Sequence, residues 1–194
     1  MVEIKNIVGI VAIILTFIGY IPYLRDVISG KTVPHIYSWL LWGLVTTIAF
    51  ALQFVGNAGI GSFVTLTAAS LCFVVLFLSL KKGANKEITV IDTIFLILAF
   101  IALAIWLFAK EPVLSTILLT LIDLLGFAPT IRKSWNKPYS ETLSFYFLNT
   151  IRFALAVFSL HEYTVVTSLY PMTWILGNGL FAAMLLIRQK QLSK

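Results

Sequence analysis

The residues best placed to do chemistry in this chain are Asp123 and Arg152, each a formal charge inside a long apolar stretch. Near the centre of a bilayer such a charge costs roughly 2.5–3.5 kcal/mol on insertion scales, so it needs a structural or functional reason. Asp123 stands nine residues before Arg132, and Arg152 stands eleven after Glu141. At about 1.5 Å per helical residue, both lie about 13–17 Å from the same side, at depths that allow them to pair. Two readings are open. Either they form an ion pair that ties two helices together, or Arg152 faces a cavity as an anion or carboxylate contact, with Asp123 as its counter-ion or a proton site.

Asn149 and Asn178 add uncharged polar groups to the same part of the chain. Interhelical hydrogen bonding explains them, and so does contact with a solute. Gln53 and Thr46 are seven residues apart, on one helix face, and offer further polar contacts. Trp42, Trp174 and Tyr146 supply rings that can line a pathway. Trp39 and Trp135 read instead as anchors at the membrane surface, where aromatic residues collect. We therefore expect the substrate-binding set to be Asn178, Asn149, Arg152, Trp42, Trp174, Asp123 and Gln53. No nucleophile–base pair and no acidic dyad is present, so no catalytic residue is assigned and the chain is not read as an enzyme. His35 and His161 fall near opposite faces, without the spacing of metal ligands. The single cysteine, Cys72, excludes an internal disulfide and a thiolate cluster. No lysine lies between Thr164 and Ile187, which excludes a retinal linkage, and no cofactor is expected.

The elements that carry these residues are membrane helices. Apolar residues make up 60% of the chain and charged residues 11%, against about 45–50% and about 25% in soluble domains. From Thr32 to Leu80 no Asp, Glu, Lys or Arg occurs, a run that holds two spans of about 20 residues each. Seven spans are counted, at roughly 6–24, 33–54, 60–80, 89–109, 113–131, 141–160 and 164–187. Lys5 precedes the first, but no small-residue cleavage site follows it, so it is read as a retained helix. The formal charge of +6 does not point to nucleic acid, because the basic residues sit in short loops and at the C-terminus. The loops after spans one, three and five, with the C-terminus, hold Arg25, Lys31, Lys81, Lys82, Lys86, Arg132, Lys133, Lys137, Arg188, Lys190 and Lys194. The opposite side holds Lys5 and Lys110. This imbalance places the N-terminus outside and the C-terminus in the cytosol, and requires an odd number of spans.

One stretch occurs twice. GYIPYLRDVISGKTVPHIYSWLLW, from Gly19 to Trp42, has an ungapped cognate that begins at Gly126, GFAPTIRKSWNKPYSETLSFYFLN. Gly19 aligns with Gly126, Pro22 with Pro129 and Arg25 with Arg132. The two prolines each remove a backbone hydrogen bond near a cytosolic helix end, and we read Pro22 and Pro129 as hinges. Spans one to three (residues 1–80) then form one unit, and spans five to seven with a short tail (residues 113–194) form the other. Residues 81–112 hold the linker and the connecting fourth helix. Because that helix crosses once more, the units point the same way. The expected fold is an all-α integral membrane protein, with seven transmembrane helices in a 3+1+3 arrangement of two parallel repeats.

With a proline ending the first helix of each unit, this arrangement resembles the SWEET sugar transporters and the wider PQ-loop (MtN3/saliva) superfamily. The residues carrying it are Gly19, Pro22, Arg25, Gly126, Pro129 and Arg132, with Ser38 and Ser144 in the helices that follow. The segment TVPHIYSWLLW, Thr32 to Trp42, is similar to one in a group of bacterial membrane proteins related to that superfamily. The family's proline-glutamine is here Pro22-Tyr23 and Pro129-Thr130. Of its asparagine pair in spans three and seven, Asn178 is present and Leu71 stands at the other position. The resemblance implies a membrane transporter of a small solute, sugar-like or another polar or amphipathic metabolite, working by alternating access. The alternative is a non-transporting receptor or binding protein of the same fold. The partners expected are a small-molecule substrate and the lipid bilayer, with no nucleic acid. A homo-oligomer is left open, and the location expected is the plasma membrane.

Overall fold

A computed structural model of the chain describes residues 2–82, 88–109 and 111–192. Among these residues the fold is helical throughout, with α1 (Val2–Ile28), α2 (Ile36–Val55), α3 (Ile60–Lys81), α4 (Val90–Ala109), α5 (Pro112–Asn136), α6 (Leu143–Phe158) and α7 (Val165–Leu192). Five of them, α1, α2, α3, α5 and α7, are long and apolar enough to cross a membrane. α4 has 20 apolar-rich residues. α6 has 16, about 24 Å of helix and short of a full span. Their outward faces are apolar: Ile7, Ile14, Phe77, Phe147 and Leu180 are exposed, while Thr16, Ser38, Asp123 and Arg152 are buried. This inverted distribution fits a multi-pass membrane protein. Part of the Lys81–Glu87 linker, and Lys86, Lys110 and Lys194 of the charge pattern, lie outside the described residues.

Helix boundaries follow local chemistry. Pro112 opens α5 at its first turn, where a missing N–H costs nothing. Pro138 follows α5 and opens a short 3-10 turn, Pro138–Ser140, before α6. Pro22 and Pro129, expected at helix ends, instead sit inside α1 and α5, which continue well past them. Packing on both sides holds the chain helical there despite the lost bond.

The packing has a regular pattern. α1 packs on α3, α3 on α2, and α1 on α6; likewise α5 packs on α7, α7 on α6, and α5 on α2. Exchanging α1, α2 and α3 for α5, α6 and α7 leaves this set unchanged. α4 stands outside it and packs mainly on α5. The repeated glycines explain the two crossings between the sets. A Cβ added to Gly126 would meet Leu41 Cδ1 at 3.1 Å, and one added to Gly19 would meet Leu148 Cβ at 3.4 Å. Leu41 and Leu148 are themselves equivalent positions of the repeat, in the register that aligns Gly19 with Gly126.

The two ends of the bundle are distinct. At the basic end the loop after α1 meets the loop after α5: Val33 N–H donates to Ser140 O (3.1 Å), and Thr32 and Thr142 share a hydroxyl bond (2.6 Å). The same end gathers Lys82 on Ile28 O and Arg188 on Trp135 O. α4 starts there too, its Asp92 gripped by the Arg132 fork at 2.7 and 3.0 Å, with His35 Nε2 3.2 Å away. At the opposite end, His161 N–H donates to Ala58 O and its ring meets Asn6.

Close packing at the repeated glycine yields a test. Gly126→Leu drives a side chain into Leu41 and should lower stability by about 1–3 kcal/mol. Adding Leu41→Ala makes room and should recover at least half of the loss. Unfolding in detergent measures both, and an unaltered single variant would contradict the close approach of α2 and α5.

Candidate functional site

Six helices, all but α4, line a central cavity of about 40 Å³. That is room for a few water molecules. α2 contributes Trp39, Trp42 and Thr46, and α6 contributes Phe145, Tyr146, Asn149, Arg152 and Phe153. Three pairs among them (Trp39 and Tyr146, Trp42 and Asn149, Thr46 and Phe153) are equivalent in the repeat, so the two walls use matching positions. Asp123 comes from α5, Tyr170, Trp174 and Asn178 from α7, and Tyr20 and Cys72 from α1 and α3.

Sequence reasoning selected most of this wall. Asn178, Asn149, Arg152, Trp42, Trp174 and Asp123 all line the cavity. Gln53 does not. Its carbonyl accepts from Thr65 (2.7 Å) and its amide donates to Thr167 O (3.4 Å), so it ties α2 to α3 and α7. Trp39 is corrected as well. Expected as a surface anchor, it is buried in the cavity wall with its Nε1 donating to Tyr23 OH (3.2 Å). Trp135, half exposed near the end of α5, keeps the position expected for an anchor.

Asp123 and Arg152 share the cavity without pairing. Asp123 Oδ2 accepts from Trp174 Nε1 (2.6 Å) and Tyr170 OH (2.9 Å), while Oδ1 has no partner among the described residues. Tyr170 OH in turn accepts from Thr46 (2.8 Å), which joins α2, α5 and α7. Arg152 Nε donates to Asn149 Oδ1 (2.5 Å), its guanidinium lies 4.0 Å from the Phe153 ring centre, and Nη1 has no partner there. Trp42 Nε1 is also unpaired. Each charge is thus held by neutral donors, acceptors or rings, and the direct ion pair between α5 and α6 is absent. Asn178 is fixed by a bond from its Nδ2 to Trp174 O (2.8 Å).

Between the cavity and the basic end lies a cluster the sequence did not announce. Lys133 Nζ contacts Glu141 Oε1 at 2.5 Å and also bonds Val33 O. Glu141 Oε2 accepts from Tyr146 OH (2.9 Å) and Tyr23 OH (3.1 Å). Rings of Tyr23, Trp39 and Phe145 pack above it at 4.5–5.9 Å between centres. This layer joins α1 and α2 to α5 and α6 on the basic side of the cavity. In the sequence Lys133 reads only as a loop charge. The signal available is that Glu141 is the single acid between Asp123 and Glu162.

Lys133→Met leaves Glu141 buried without its cation and should cost about 3–5 kcal/mol, whereas Lys133→Met with Glu141→Leu should cost far less. Chemical unfolding in detergent separates the two. Equal losses would show that the pair contributes packing alone. The chain matches no protein-family model, and it matches neither a curated protein nor a solved structure.

Proposed function

We propose that the protein is a membrane transporter of a small solute, working by alternating access between two parallel three-helix units, α1–α3 and α5–α7, joined by α4. The observation that carries this reading is the central cavity, lined by residues that keep unpaired polar atoms, between two sets of helices with exchangeable contacts. The loop contacts support seven crossings. The ends of α1, α3, α5 and α7 meet at the basic end with the starts of α2, α4 and α6, and the turns after α2 and α6 meet at the other. Both units therefore run in the same direction, as the SWEET-like resemblance implies. The excess of Lys and Arg puts the basic end in the cytosol.

In this reading the Lys133–Glu141 layer is the cytosolic seal of the occluded state. Pro22 and Pro129 lie in α1 and α5 beside that seal, where a weakened helix ladder lets each unit tilt. The apolar α1–α6 and α2–α5 contacts at Gly19 and Gly126 are the surfaces that would rock. A receptor that binds without transport uses the same cavity but has no need of two matched units.

Flux across a vesicle membrane decides between them. Purified protein in liposomes should carry a labelled solute from one of four classes (sugars, amino acids, nucleosides, small carboxylates), with saturation. Asn178→Ala or Arg152→Gln should cut the rate at least tenfold, about 1.4 kcal/mol. Saturable binding with no flux would contradict transport and favour the receptor.

A further inference from the structure

The cavity's unpaired atoms specify more than polarity, and the inference drawn from them rests on the transport reading. Asp123 is 1% exposed and Arg152 is 4% exposed. Each keeps one atom without a hydrogen-bond partner, Oδ1 of the carboxylate and Nη1 of the guanidinium. A buried charge is normally paired, since an uncompensated one in a low-dielectric interior is costly. Here groups of opposite formal charge line one small cavity and are not joined to each other.

We propose that the cavity binds a small zwitterion, a molecule bearing one carboxylate and one ammonium. Arg152 Nη1 takes the carboxylate, with Trp42 Nε1 as a second donor. Asp123 Oδ1 takes the ammonium. The pairing comes from the inventory of groups: guanidinium and indole only donate, and a carboxylate only accepts. An anion alone would meet Arg152 but face Asp123. An amine alone would meet Asp123 but face Arg152. A sugar can bond to both yet neutralises neither charge. A zwitterion compensates both and adds no net charge to the bundle.

The surrounding rings fit the same ligand. Trp42 and Trp174 meet edge to face at 5.9 Å, and Tyr20 closes the wall beside Cys72. Their faces accept an ammonium through the ring quadrupole and an aliphatic or aromatic side chain by apolar contact. The asymmetry between the units is explained too. The repeat positions of Asp123 and Arg152 are Thr16 and Val45, so one unit brings both charges and the other brings Trp42. The ligand would therefore bridge α2 of one unit and α5 and α6 of the other, which couples its binding to closure.

Ligand analogues test this with the full chain in lipid nanodiscs. Calorimetry would compare glycine, L-alanine, L-leucine and L-phenylalanine with D-glucose. It would also use the two single-charge analogues of leucine, isoamylamine and 4-methylpentanoate. At least one amino acid should bind, and for leucine each single-charge analogue should be at least about 30-fold weaker. Asp123→Asn should shrink the preference for leucine over 4-methylpentanoate and leave that over isoamylamine. Arg152→Gln should do the reverse, and Arg152→Lys should retain part of the wild-type preference. Because each variant is read as a ratio, a general loss of stability does not imitate the result. Tight binding of glucose or of a single-charge analogue, with no amino acid bound, would overturn the zwitterion assignment. So would preferences that ignore both substitutions. If glucose or another uncharged solute is also carried across vesicles, the transport reading survives that failure. If no amino acid binds and no solute class is carried, both fall.

Discussion

An aspartate and an arginine buried in an apolar bundle, on one cavity and not in contact, set the terms for the rest of this structure. Lipid offers no partner for such groups, so the helices around them, apart from α3 with its Ala68 and Cys72, face inward with something polar or aromatic. The wall answers that demand piecewise. Tyr170 and Trp174 donate to Asp123, and Asn149 and the Phe153 ring hold Arg152. What remains unpaired is small in number: Asp123 Oδ1, Arg152 Nη1 and Trp42 Nε1.

Pseudo-symmetry supplies the frame in which that asymmetry is possible. Equivalent positions of the repeat make equivalent contacts with different chemistry. Thr130 donates to Ser38 at 2.9 Å, and the matching positions Tyr23 and Phe145 meet as rings 4.5 Å apart. Gly19 against Leu148 and Gly126 against Leu41 keep the backbone crossings alike. A duplicated scaffold of this kind holds its shape through a few close-packed positions and leaves the remaining ones free to specialise. Asp123, Arg152 and Trp174 line the cavity from α5–α7, and Trp39 and Trp42 line it from α2.

Much of this was legible in the sequence. Charge-free stretches marked the helices, and the repeat register showed which positions are equivalent. Polar residues inside apolar stretches picked out Asp123, Asn149, Arg152 and Asn178, because their cost in lipid makes them conspicuous one at a time. Features that depend on two distant segments were not legible. The layer around Glu141 needs Tyr23 of α1, 118 residues away in the chain, to reach the α5–α6 loop, and the lone acid there does not name that partner. Trp39 reads as an anchor because aromatic residues collect at membrane surfaces, and its bond to Tyr23 forms only in the bundle. Gln53 reads as a site residue because its bonds to Thr65 of the next helix and to Thr167 of α7 also form only there. Helix ends were misjudged at Pro22 and Pro129, where tertiary packing overrides the proline. By length and composition five of the expected seven spans stand by themselves among the described residues, and α6 is too short to be one without its flanks.

Cys72 offers the most direct test of the cavity as a pathway. It is the single cysteine of the chain, it lines the cavity, and its Sγ lies 3.5 Å from Tyr20 OH. In sealed vesicles of known orientation, a membrane-impermeant thiosulfonate can be applied to either side. Alternating access predicts that Cys72 is labelled slowly from both sides, and that a bound substrate slows each reaction. Labelling from one side only, or from neither under conditions where the unfolded protein reacts fully, would contradict it.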